Sequence, residues 1–208
     1  MEELIMMLQS IAPLSPDLEK RLRSIIRPLR FKAGELILSP GDVCRQIFYV
    51  EKGLIRIYHM LGKNDITDWF IKEKDICISV GSFFDQVESK EYHKALEDCE
   101  CVGISFDELQ QTYIDHPEFN LHGRIISNIY YVQLDNRCST NKRRKPDEKY
   151  EILLKDKPDL LQRVSANDMA SYLDVGRWNY FKIKREYLAK SKATLDRDRR
   201  LGRSPGKG

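Results

Sequence analysis

At 208 residues the chain can form one large domain or two ordinary ones, and either arrangement buries a proper core. Its 32% charged and 41% apolar residues are the balance of a soluble globular protein, and no apolar run approaches the length that spans a bilayer. The net charge of +3 is too small to argue for nucleic acid by itself, but Lys142, Arg143, Arg144, Lys145 and the segment from Arg177 onward concentrate positive charge in the last third.

The opening residues, MEELIMMLQS, are acidic where a signal peptide is basic, so a cytoplasmic location is expected. Residues Met1 to Leu29 read as helical, with Leu14, Leu18, Leu22, Ile25 and Ile26 at helical spacing and a Ser15-Pro16-Asp17 start that puts Pro16 in the first turn. From Arg30 to about Ile104 the period changes. Strand-like runs at ELIL, QIFYV, LIRIYHM, TDWFI, ICISV and CVGIS, punctuated by Gly34, Gly41, Gly53, Gly62 and Gly81, predict a sandwich or barrel. Cys44, Cys77, Cys99, Cys101 and Cys138 are odd in number and scattered, which predicts buried thiols in a reducing compartment. Cys99 and Cys101 share one face of a strand, yet no second Cys or His pair completes a metal set, so no metal is expected.

A helix is predicted from about Phe106 behind an acidic cap in DELQQTYIDHP, and a long one from Pro117 to about Arg137. The long helix carries two apolar stripes: Leu121, Ile125, Ile129 and Val132 on one, Phe119, Ile126, Tyr130 and Leu134 toward the other. One stripe covers the β-domain and the other suits the same helix of a second copy, giving a two-fold homodimer; the alternative puts both stripes in the intrachain core. CSTNKRRKPDE, Cys138 to Glu148, breaks the pattern and predicts a mobile basic hinge. KYEILLKDKPDLLQRV resumes as helix and turn. Ser165 to Leu188, SANDMASYLDVGRWNYFKIKREYL, then has the spacing of a helix-turn-helix, with Ala170, Leu173, Val175, Tyr180 and Ile183 at the packing positions. Its second helix predicts a basic outer face of Arg177, Lys182, Lys184 and Arg185, with Trp178 and Asn179 between the charges. Ser165 and Asn167 lie at the start of the first helix as further DNA contacts. After Leu188 the sequence AKSKATLDRDRRLGRSPGKG predicts a disordered basic tail.

This order of parts resembles the Crp/Fnr family of bacterial transcription regulators along nearly the whole chain. FKAGELILSPGD and IFYVEKGLIRIY look like that family's cyclic-nucleotide-binding roll, with Gly34, Gly41 and Gly53 matching its structural glycines, and PDLLQRV with MASYLDV looks like the DNA-binding half of the Bacteroidetes-type branch. The resemblance implies an α+β fold: an N-terminal jelly roll with its leading helix over residues 1–116, a long dimerisation helix over 117–140, and an all-α helix-turn-helix domain over 141–208. It also implies a homodimer that binds double-stranded DNA and, at a promoter, RNA polymerase.

Two departures narrow that expectation. Family members that bind cyclic AMP anchor its phosphate with an Arg after a Gly-Glu turn. Here the region reads DICISVGSFFDQVESKEYHKALEDCE, with Ser89 near the Arg position and Glu88 and Glu91 beside it. Carboxylates there oppose a phosphate, so cyclic AMP is doubtful and no cofactor is expected; Lys90, His93 and Lys94 are cations that a shifted alignment brings in. Ser79, Ser82, Ser89, Lys90, Tyr92 and His93 are the candidate effector pocket. In the recognition helix, Gly176, Arg177, Trp178, Asn179 and Lys182 stand where the family often has Ser or Thr, a Glu that reads cytosine, and an Arg. Trp178 cannot accept a hydrogen bond from cytosine, so the family's usual operator is not expected. Asp174 occupies the turn position where many such motifs have Gly. The histidines, His59, His93, His116 and His122, fall in different elements without a nucleophile motif, which argues against an enzyme. The competing reading is a sensor or adaptor whose helical C-terminal domain contacts protein instead of DNA.

Overall fold

The computed structural model describes residues 1–143 and 145–200, the side chains of 141–143 and 190–200 excepted. The chain divides into two compact units, Met1–Asn136 and the residues from Arg137 onward. No described helix is long and apolar enough to cross a membrane.

The first unit begins with α1 (Glu2–Ile11) and α2 (Pro16–Ile25). Ser15 caps α2 through its side chain, which accepts from the Leu18 amide at 3.3 Å, and Pro16 sits in the first turn. The helical expectation runs too far at its end, because Arg27–Phe31 is a strand, β1. β1 lies at a sheet edge, where Pro28 costs no ladder hydrogen bond to a second neighbour.

The remaining strands are β2 (Leu36–Leu38), β3 (Gln46–Lys52), β4 (Ile55–Leu61), β5 (Asn64–Ile71), β6 (Ile76–Cys77), β7 (Tyr92–Ala95) and β8 (Cys99–Ser105). They form two four-stranded antiparallel sheets, ordered β1-β8-β3-β6 and β2-β7-β4-β5, which is a jelly roll. Each strand-like run of the sequence holds a strand, but ICISV is mostly not one: after Cys77 the chain turns into the short helix α3 (Val80–Asp85). Strand β7 escapes the pattern because Tyr92, His93 and Lys94 precede its one small apolar residue, Ala95.

One core lies between the sheets and joins Phe48, Val50, Ile55, Ile57, Ile71, Cys77, Ala95, Cys99 and Cys101. Cys99 and Cys101 therefore do share a face. A second core packs α1 and α2 with Tyr49, Val102, Leu109 and Phe119. Burial pushes the Cys101 thiol up to about 12 and the Cys77 thiol well above its ordinary value, so both behave as small apolar groups. Cys138 differs from its expectation, being exposed. Gly53 is required by its backbone: φ is +106°, and a Cβ would stand 2.6 Å from Cys99 Sγ and 2.8 Å from the Asp98 carbonyl oxygen.

Helix α4 (Phe106–Asp115) is capped by Ser105 in a box with Glu108, so the N-cap is the serine and not the acidic Asp107. Helix α5 (Phe119–Arg143) follows. Phe119 and Ile126 pack into the helical core, and the Tyr130 hydroxyl accepts from the Ile76 amide at 2.7 Å. Leu134, expected on that stripe, is exposed. The other stripe faces outward: Leu121, Ile129 and Val132 are exposed and Ile125 is half-buried.

Helix α5 also corrects the expected hinge. Cys138 to Arg143 is helical, and Lys145 is extended, as a residue before proline tends to be; residue 144 of that expected hinge lies outside the described residues. Polar composition alone does not end a helix that contains no Gly or Pro. In the second unit come α6 (Pro146–Asp156), α7 (Leu160–Arg163), α8 (Ala166–Tyr172) and α9 (Arg177–Arg200). The last of these corrects the expected disordered tail, since the chain stays helical well past Leu188. Ala189 to Arg200 contains no Gly or Pro and many good helix formers. Residues 201–208 of that expected tail lie outside the described residues. No strand follows α9 among the described residues.

Candidate nucleic-acid interface and sensor cluster

Helix α8 starts on Ser165, whose Oγ accepts from the Asp168 amide at 3.1 Å and donates to Asp168 Oδ2 at 2.8 Å. It ends in a Schellman motif. The Val175 amide donates to the Ala170 carbonyl at 3.0 Å and the Asp174 amide to the Ser171 carbonyl at 3.0 Å. Asp174 takes φ +51°, the left-handed conformation that its turn position requires.

Two cations from other helices fix this turn. Buried Lys149 of α6, 5% exposed, donates from Nζ to the Leu173 carbonyl at 3.1 Å, and Arg137 donates to the Tyr172 carbonyl at 3.3 Å while lying over the Tyr172 ring. Both complement the negative end of the α8 dipole. Sequence reasoning did not find them, because a lysine in an amphipathic helix reads as solvated until its neighbours are known. Tyr180, packed beside Tyr150, holds α9 in place with its hydroxyl proton pushed up to about 12 by burial.

The outer face of α9 follows from that anchoring. Arg177, Trp178, Asn179, Lys182 and Arg185 are exposed, whereas Lys184, at the edge of that face next to Arg177, is half-buried. Asn167 is exposed on the first turn of α8, and Ser165, also exposed, has its hydroxyl committed to capping. Phe181, absent from the expected contacts, is exposed on the same face as Trp178.

In the roll, Ser79, Ser89 and His93 are brought together and buried, with Glu91 as a fourth member. Ser79 Oγ donates to Glu91 Oε2 at 2.7 Å, and the Ser89 Oγ accepts from the Glu91 amide at 3.0 Å. His93 Nε2 lies 3.5 Å from Glu91 Oε2 without hydrogen-bond alignment, and its Nδ1 lies 3.5 Å from Cys77 Sγ. Burial pushes the Glu91 carboxyl up, but the imidazole and the Ser79 hydroxyl outweigh it and leave the carboxyl below its ordinary range. The other expected pocket residues are elsewhere. Ser82 is spent on the Cys44 amide and the Val87 carbonyl, Lys90 is exposed, and Tyr92 stacks on Tyr58 at 4.9 Å. Arg56, the buried guanidinium of β4, is engaged by Thr67 and Asp65, each at 2.8 Å. The cluster thus offers two hydroxyls, an imidazole and a carboxylate.

Residues 28–116 match the cyclic nucleotide-binding domain family. No curated protein matches the sequence. Among solved structures, the fold is similar to the c-di-GMP responsive global regulator CLP of Xanthomonas campestris, at 16% identity and TM-score 0.66, over 85% of this chain and 93% of that one. FixK2 of Bradyrhizobium japonicum aligns at 13% identity and TM-score 0.67, over 80% and 86%. A protein described as a transcriptional regulator of the Crp/Fnr family from Eubacterium rectale aligns at 14% identity and TM-score 0.66, over 85% of each chain.

Proposed function

We propose that this chain, whose residues 28–116 belong to the cyclic nucleotide-binding domain family and whose fold is that of the Crp/Fnr transcription regulators, is a dimeric DNA-binding regulator and not an enzyme. The observation that carries the reading is the α9 face. Its first turns present Arg177, Lys182 and Arg185 to solvent from a helix-turn-helix whose turn is fixed by a Schellman motif and by Lys149. Its partners are double-stranded DNA and a second copy joined along the Leu121, Ile125, Ile129 and Val132 stripe of α5; RNA polymerase enters only if the regulator is an activator.

The roll in this reading does not take cyclic AMP. Glu91, kept ionised by Ser79 and His93, lies two residues from Ser89, which the family resemblance puts near the phosphate-anchoring Arg, and a carboxylate beside that position opposes a phosphate.

Selection from random-sequence duplexes at low salt tests the DNA reading. The full chain is expected to enrich a two-fold symmetric site, and Lys182→Ala, which removes one phosphate contact from each of the two copies, is expected to reduce the dependence of log affinity on log salt by about 1.8. Failure to enrich any duplex overturns it and favours the adaptor reading. Calorimetry with cyclic AMP, cyclic GMP and cyclic di-GMP tests the roll; micromolar binding of cyclic AMP refutes the argument from Glu91.

A further inference from the structure

The recognition helix carries more than cations. Trp178 is 72% exposed and Phe181 45%, although large aromatics on a solvated helix are usually turned inward. At about 100° per residue, Arg177, Phe181, Arg185, Trp178 and Lys182 fall in one arc of about 140° on α9. Tyr180, Ile183 and Tyr187 occupy the opposite, packed side, and half-buried Lys184 flanks the arc next to Arg177. The aromatics are held among charges: the Lys182 ammonium stands 5.6 Å from the Trp178 ring centre and the Arg177 guanidinium 5.8 Å from that of Phe181. The result is a surface of two apolar plates rimmed by three cations. Its charge complements a polyanion, and its plates need an apolar group in the centre of that polyanion.

In a DNA major groove the one apolar group on a base edge is the thymine 5-methyl. We infer that Trp178 and Phe181 read thymine methyl groups, so that each half-site is specified by one or two thymines through apolar contact while Arg177, Lys182 and Arg185 hold the flanking phosphates or guanines. The inference rests on the DNA-binding reading above and sharpens it to a base. Neither ring accepts a hydrogen bond from the cytosine amino group, so thymine is favoured over cytosine at those positions by both the methyl gained and the donor left unpaired.

The test uses the full chain and the duplex it enriches. Each thymidine is replaced in turn by deoxyuridine, which deletes only the methyl. One or two replacements per half-site are expected to weaken binding about fourfold each, the value of burying one methyl group. In Trp178→Ala, whose side chain supports no core, at least one of those penalties is expected to vanish while the salt dependence stays unchanged; Phe181→Ala is expected to remove the other. If a duplex is enriched but deoxyuridine is tolerated everywhere, or if Trp178→Ala keeps every penalty, this inference falls and the DNA-binding reading stands. If no duplex is enriched, the DNA-binding reading itself falls. Trp178-dependent sedimentation with phosphatidylserine vesicles, together with methyl-independent DNA binding, assigns the face to a membrane surface and overturns the inference.

Discussion

The outward stripe of α5 makes Ile129→Asp a decisive perturbation. Ile129 leaves 48% of its surface uncovered and Val132 57%, so a copy of the helix seated across a two-fold axis removes both from water. Covering the remaining half of one isoleucine is worth roughly 1 kcal/mol, and a carboxylate in its place must shed hydration at a further cost of about 2 kcal/mol or more. A two-fold axis doubles every change, giving roughly 6 kcal/mol, or about four decades in the dissociation constant. Ile129→Ala removes only the apolar part, roughly 2 kcal/mol for two copies and about thirtyfold. Sedimentation velocity over a wide concentration range reads these constants, and circular dichroism melts establish that the monomers remain folded, as an exposed position predicts. The reasoning fails if the unmodified chain is monomeric at the highest concentration, or if Ile129→Asp dimerises as tightly as the parent.

Gly53→Ala is expected to destabilise the fold by about 2–4 kcal/mol, from its positive φ and from a Cβ forced against the Cys99 backbone, whereas Gly34→Ala meets open space and costs only about 1 kcal/mol; urea midpoints that fall equally refute the steric part. Asp174→Val is expected to lose about 1–2 kcal/mol because a β-branched residue resists the left-handed turn, with Asp174→Gly changing little; a neutral Asp174→Val in the same assay sinks the turn argument. For Glu91, a carboxyl held below its ordinary value stabilises the fold above that value, 4.5, and the contribution is lost as pH falls below it. Glu91→Gln is therefore expected to flatten the fall of the melting temperature on the acid side, and an unchanged profile shows that Ser79 and His93 do not depend on the charge.

What the sequence made legible followed period and punctuation. The Ser15-Pro16 start, the positive φ of Gly34, Gly41, Gly53 and Gly62, and the inward Phe119 and Ile126 against the outward Leu121, Ile129 and Val132 of α5 are local signals that the structure realises, whereas Gly81 lies in α3 and Leu134 is exposed. The misses share a different physical origin. β1 was hidden because its Pro28 is tolerated only at an edge, and β7 because its outward residues are polar; both facts depend on neighbours far along the chain. The helical stretches Cys138 to Arg143 and Ala189 to Arg200 were misjudged because polarity was read as disorder, although helix propensity does not require apolar residues.

The same distinction separates the two candidate sites. The exposure of Arg177, Trp178, Asn179, Lys182 and Arg185 was readable, since a helix sorts its residues by spacing alone; Lys184, which spacing puts next to Arg177, is half-buried, and only its neighbours decide that. The sensor cluster was not readable as a geometry, because it joins the start of α3 to β7 across a loop that no period describes. Sequence could supply the charges there but not their partners. It is the partners that decide the chemistry: Ser79 and His93 hold the Glu91 carboxyl below its ordinary range, so this acidic residue is a fixed feature of the cluster and not a solvated bystander.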